Sequence, residues 1–164
     1  MPDPVPRRGP RTGGPRSAAR LAAIQALYQV EMTGSSGASV AREFVKHRLG
    51  REIDGDDYVP ADEPLFHQIV EGTLAHRSDL DPLISSLLTP DWPLERLEII
   101  LRAILRAASF ELSTRTDTPA RVVITEYVDI AHAFFTGKEP GLINGVLDRL
   151  ARQCRPAEWP GDAG

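Results

Sequence analysis

Hydrophobic residues recur along this chain with a helical period, most densely between Pro93 and Leu112. There Leu97, Ile100, Leu101, Ile104, Leu105, Ala108 and Leu112 form one stripe, and Ile99, Ala103 and Ala107 carry it almost round the axis. A helix apolar nearly all round is a buried one. The pattern therefore predicts a central helix over 93–112, about 30 Å long at roughly 1.5 Å per residue, with neighbours on several faces. Glu95, Glu98, Arg102 and Arg106 leave a single charged strip, acids toward the N-terminal end and arginines further on, as the helix dipole favours. That strip reads as a wet face or as the docking face for a partner.

Six further helices follow from the same period. Leu21, Ile24, Leu27 and Tyr28 share a face of an alanine-rich first helix from Ser17 to about Met32. Val40, Phe44 and Val45 mark a second over about 40–49, and Leu65, Phe66, Ile69, Val70 and Leu74 a third. Leu80, Leu83, Ile84, Leu87 and Leu88 mark a fourth, opening at Ser78 or at an Asp81 cap followed by Pro82. Thr118 and Pro119 repeat that signal for a sixth, with Val123, Tyr127, Ile130 and Phe134 on one face and Gly137 at its close. Pro140 opens a seventh, whose Ile143, Val146, Leu147, Leu150 and Cys154 face inward until Pro156. Asn144-Gly145 is a turn signal inside this unbroken period. Gly145 is therefore expected at a close helix contact and Asn144 at a neighbouring helix end. The fold class is all-α, a bundle of about seven helices with short connections.

A chain of 164 residues suffices for one domain with a real core. Residues 1–15, dominated by proline, glycine and arginine, read as a disordered basic arm, 16–156 as the folded domain and 157–164 as a flexible tail. Cys154 is the sole cysteine, which excludes an internal disulfide or a thiolate cluster and fits reducing cytosol. No apolar run follows the N-terminal arginines and no stretch approaches 18 apolar residues, so neither a secretory signal nor a membrane span is expected, and the location reads as cytoplasmic.

Signatures of catalysis are missing: there is no phosphate loop with its lysine, no HExxH, no GxSxG and no GxGxxG. His47, His67, His76 and His132 fall in separate elements without ligand spacing, so no metal or other cofactor is implied. The acidic stretch over 52–63, with Asp54, Asp56, Asp57, Asp62 and Glu63, lacks the register of a calcium loop and reads as solvated. These observations point away from an enzyme.

Charge changes the picture. The net charge of -4 conceals five arginines against one acid in residues 1–20, which leaves fourteen bases against twenty-two acids elsewhere. A basic arm on an acidic body is the asymmetry of nucleic-acid binders, although such runs can also be merely solvated. Arg7, Arg8 and Arg11 stand on the arm, whereas Arg16 and Arg20 stand one turn apart on the first helix. Arginines can hold phosphates while an aromatic ring such as Tyr28 stacks on an unpaired base. Tyr28 fits the core equally well.

ARLAAIQALYQ (19–29), LRAILRAASFEL (101–112), VVITEYVDIA (122–131) and INGVLDRLA (143–151) together resemble the NusB family of bacterial transcription antitermination factors, in order and spacing. The resemblance implies two three-helix bundles with an added helix. It further implies binding to the boxA element of ribosomal RNA leaders together with the ribosomal protein NusE, within the RNA polymerase antitermination complex; single-stranded RNA is expected over duplex because unpaired bases can reach side chains. Carried over, Arg16 and Arg20 match the family's arginine-rich start and Tyr28 the tyrosine after its QAL segment. Leu142 and Ile143 replace the aromatic-aliphatic pair common before the NG, and glycines and prolines spread the arm. Glu95, Glu98, Leu101, Arg102 and Arg106 become candidates for the NusE contact. Some relatives form homodimers, and Leu101 beside the charged strip leaves that pairing open. The alternative reading is a docking or dimerisation scaffold without specific RNA binding. Opposite charges also suggest that the arm rests against the Asp54–Glu63 stretch when RNA is absent.

Overall fold

A computed structural model describes residues 14–47 and 61–162, and among them the regular elements are helices and short 3-10 turns. The seven α-helices are α1 (Pro15–Thr33), α2 (Gly37–His47), α3 (Glu63–Ala75), α4 (Arg77–Ser85), α5 (Ile99–Thr114), α6 (Ala120–Phe134) and α7 (Glu139–Cys154). Helices α1, α2 and α3 pack on one another, as do α5, α6 and α7, and α5 also lies against α1, α3 and α4. The result is two three-helix bundles with α4 added, joined along α5. From Ile100 to Leu112 every residue of α5 except Arg102 is buried, as an all-round apolar pattern requires. The proposed arm arginines Arg7, Arg8 and Arg11, and the acids Asp54, Asp56 and Asp57, lie outside the described residues.

The central helix is shorter than its pattern suggests. Pro93, Leu97 and Glu98 are extended, a 3-10 turn spans Leu94–Arg96, and α5 begins at Ile99. Leu94 and Leu97 are buried nonetheless, so the apolar spacing survives without the helix. Arg102 reaches back to the carbonyls of Leu97 at 2.6 Å and Glu95 at 3.3 Å, satisfying backbone groups that a continuous helix would have paired internally. At the other end α5 runs on to Thr114, whose hydroxyl bonds the Phe110 carbonyl at 2.6 Å. Arg155 closes it: its buried guanidinium donates to the carbonyls of Glu111 and Leu112, both at 3.0 Å, and to those of Arg115 and Thr118. A cation on the orphan carbonyls of a helix end suits both hydrogen bonding and the dipole.

Other boundaries differ for local reasons. Helix α4 starts at Arg77, with Pro82 inside it and no cap from Asp81, because the Asp81 carboxylate is engaged by Arg106. Helix α6 takes Pro119 rather than Thr118 as its N-cap and ends before Gly137. Cys154 is exposed rather than inward. Residues Pro156–Glu158 and Pro160–Asp162 form 3-10 turns around Trp159, which is only 6 % exposed, where a flexible tail was expected. Asp62, expected in the acidic loop, is the N-cap of α3: its carboxylate accepts from the Leu65 N–H at 3.0 Å, and its own N–H donates to the Pro15 carbonyl at 3.0 Å.

The close helix contact expected at Gly145 occurs elsewhere. A Cβ on Gly145 would meet nothing within 4 Å, whereas one on Gly72 would collide with the Phe110 ring. Asn144 is exposed, so it does not cap a buried helix end.

Candidate nucleic-acid interface

Helix α1 begins at Pro15, a residue whose missing N–H costs nothing in a first turn. Arg16, the next residue, has a side chain 51 % exposed and lies against the loop between α5 and α6. Its guanidinium donates to Asp117 at 3.4 Å and to the Thr118 hydroxyl at 3.3 Å. Asp117 also accepts from Arg115 at 2.8 and 3.2 Å. The Arg115 hydrogen bond, aided by the charges of Arg115 and Arg16, holds the Asp117 carboxyl down to about 2. One carboxylate thus holds side by side a half-exposed arginine, Arg16, and a mostly covered one, Arg115, which also donates to Gln68. Both bonds are exposed, where ion pairs are weak and exchangeable.

Arg20 has the opposite fate. It is 1 % exposed and buries its guanidinium against Glu111, with bonds of 2.9 Å from both Nε and Nη2. The Tyr127 hydroxyl donates to the same carboxylate, and Glu126 stands 3.7 Å from Arg20 while accepting from Ser17 at 2.7 Å. Burial opposes the charge on Arg20, but the hydrogen bond and charge of Glu111 outweigh it and raise its pKa. Arg20 is therefore an internal tie between α1, α5 and α6, and it leaves the set of arginines that could touch RNA. The sequence shows two arginines one turn apart; only the fold shows that one meets a buried acid ninety-one positions away.

Tyr28 is half-buried and packs against the core. It keeps some ring surface while serving the packing of α1.

In the charged strip proposed as a partner contact the arginines, with Leu101 beside them, are largely interior, whereas the two acids are exposed. Leu101 is 2 % exposed, and Arg106 is 7 % exposed with Asp81 at 2.7 and 2.9 Å and Glu31 at 3.5 Å. Arg102 pairs with Glu31 at 2.5 Å. These arginines bind α5 to α1 and α4, and Leu101 offers no surface for a homodimer. Glu95 and Glu98 are exposed, but on the 3-10 turn and extended segment rather than on a helix face shared with the arginines.

Sequence reasoning missed Arg115, which shares Asp117 with Arg16. The available signal was RTDTPAR (115–121), a short interhelical loop bracketed by arginines. Among the described residues no group of His, Cys, Asp and Glu could hold a metal ion, and no helix is long and apolar enough to cross a membrane.

The family model described as NusB family matches residues 17–152. A transcription antitermination protein NusB from Rhizobium rhizogenes is 52 % identical over 148 residues, covering 90 % of this chain and 92 % of that protein. Its counterpart from Sinorhizobium fredii is 54 % identical over 140 residues, covering 85 % and 88 %. Among solved structures, NusB of T. maritima superposes with a TM-score of 0.71 at 27 % identity, over 91 % of this chain and 99 % of that one. A NusB crystallised with NusE and dsRNA superposes with a TM-score of 0.68 at 22 % identity, over 84 % and 96 %, which shows a shared fold. On the match across the whole helical body and the identity of about half its residues to transcription antitermination proteins, the chain belongs to the NusB family, whose members are non-catalytic RNA-binding factors.

Proposed function

We propose that this chain binds the boxA element of ribosomal RNA leaders as single-stranded RNA, together with NusE, and acts as an adaptor in the antitermination complex. The observation that carries this reading is Arg16, half exposed where the arginine-rich arm joins the folded body and held beside Arg115 by the exposed Asp117. A phosphate can replace that carboxylate, because it offers the same charge and the same fork geometry to a guanidinium. Arg7, Arg8 and Arg11 add phosphate contacts from the arm. Tyr28 lends the exposed part of its ring to an unpaired base. Single strands are favoured because their bases can be splayed onto side chains, which a duplex prevents. NusE docks on a neighbouring face, with Glu95 and Glu98 as its remaining candidates from the strip. The relative crystallised with NusE and dsRNA supports NusE and RNA as partner classes, while the preference for single strands rests on the base-access argument alone.

The test is a titration of labelled boxA RNA, single-stranded and as a duplex, with and without NusE. Arg16→Ala is expected to weaken binding and flatten its salt dependence, while Asp117→Asn, which releases Arg16 and Arg115 from their carboxylate, is expected to strengthen it. Indifference of the wild-type chain to boxA RNA even with NusE present would overturn the reading.

A further inference from the structure

We infer that Arg121 and Arg152, gathered over the ring of Trp159, form a second station for RNA phosphates beyond the arm. The inference rests on the RNA-binding reading above and adds a site to it. The guanidinium carbons of Arg121, on α6, and Arg152, on α7, lie 5.1 and 5.3 Å from the centroid of the Trp159 ring. Trp159 is brought there by the 3-10 turn that follows α7, and that turn is tied to α6 by Glu158, which accepts from the Ala120 N–H at 2.9 Å. Two like charges are thus held on one indole. Attraction of each to the ring face makes that tolerable.

The two arginines differ in what else explains them. Arg152 sits in the last turn of α7, where a cation suits the helix dipole, and bonds Asp148 at 3.0 Å. Arg121 sits in the first turn of α6, at the positive end, where the dipole disfavours it. It is exposed, and no carboxylate pairs with it among the described residues. A cation placed against its helix dipole, without a counter-charge and steadied by an aromatic ring, is arranged for an anion from outside. Trp159 itself is too buried to stack on a base, so the station would hold backbone and read no sequence.

Continuity with Arg16 selects RNA over an acidic protein. Thr118 takes the Arg16 guanidinium on its hydroxyl and the Arg155 guanidinium on its carbonyl, Arg155 contacts Glu158 at 3.3 Å, and Glu158 precedes Trp159. Arg115 and Arg121 also stand at the two ends of RTDTPAR (115–121), the connection from α5 into α6, so a strand that crosses it from Arg16 and Arg115 would reach Arg121.

The experiment compares a minimal boxA oligonucleotide with the same RNA extended at either end, in the presence of NusE. Arg121→Gln alone, and with Arg152→Gln, should weaken the extended RNA several-fold and lower its salt slope by about 0.7 for each phosphate released. The minimal RNA should bind as before, and Arg121→Lys with Arg152→Lys should restore the slope. In a Trp92→Phe background the extended RNA should alter Trp159 fluorescence and the minimal RNA should not. Equal affinity and slope for the extended RNA in wild type and Arg121→Gln would overturn the inference, as would loss of NusE capture with RNA affinity intact. Failure of the wild type to bind either RNA would overturn the underlying reading instead.

Discussion

Glu111 accepts from Arg20 and Tyr127 at once, far from water, and the arrangement makes it the most consequential acid among the described residues. Removing it by Glu111→Ala strands a buried guanidinium, an error that costs about 3–5 kcal/mol. Urea denaturation should register that loss. Replacing the whole cluster with apolar groups, Arg20→Met with Glu111→Leu and Tyr127→Phe, should recover most of it, because no buried charge then remains. Burial, reinforced by the Glu111 charge, pushes the Tyr127 phenol well above the usual 10.0. A phenol whose pKa is raised by folding contributes stability that is complete below the unfolded value and is lost as pH climbs past it. Stability should therefore fall above pH 10, and the tyrosinate absorbance of Tyr127 should appear only with unfolding. Tyr127→Phe would remove both effects. At this scale the sequence was half legible. That Arg16 and Arg20 share a flank is visible in their spacing, but their separation into a surface cation and an internal tie depends on Glu111 and Asp117, which only folding brings near.

Helices were legible because burial imposes a period, and their ends were less so because ends are settled by hydrogen bonds. Leu94 and Leu97 keep helical spacing through a segment that is not helical, and the Arg102 guanidinium that takes over the freed carbonyls leaves no trace in the apolar pattern. Asp81 before Pro82 carries a cap signal, yet its carboxylate serves Arg106 instead. The glycines show the same limit. Asn144-Gly145 draws attention as a turn signal, while Gly72, in a stretch of α3 with no such signal, is the position that lets α3 approach Phe110 of α5. Opposite outcomes follow for the same substitution. Gly72→Ala drives a methyl into the Phe110 ring and should cost about 1–3 kcal/mol as overpacking. Gly145→Ala meets open space within a helix and should gain about 0.5–1 kcal/mol. Thermal melts of the two variants decide it, and equal shifts would mean that the α3–α5 contact is looser than the geometry implies.

For the molecule as a whole, the useful fact is the separation of charge along the sequence: five arginines against one acid in residues 1–20, and fourteen bases against twenty-two acids in the rest. The body should repel RNA except where Arg16, Arg115 and the proposed Arg121–Arg152 station break its surface, so attraction should be concentrated there and at the N-terminal arginines. This was readable from the sequence because charge needs no fold to be counted, whereas the surface on which it acts was not. Deletion of residues 1–13 removes Arg7, Arg8 and Arg11, while the described core begins at Ala19 and should keep its melting temperature. On the proposed RNA-binding reading each of those three guanidinium groups should account for roughly 0.7 in the slope of log affinity against log salt, so the slope should flatten by about 2. Because a grip on phosphate carries no sequence information, boxA and scrambled single strands should weaken by the same factor, leaving their ratio unchanged. A truncated chain that loses boxA selectively would assign base reading to the arm, and one that keeps the full salt slope would leave the arm no part in holding RNA.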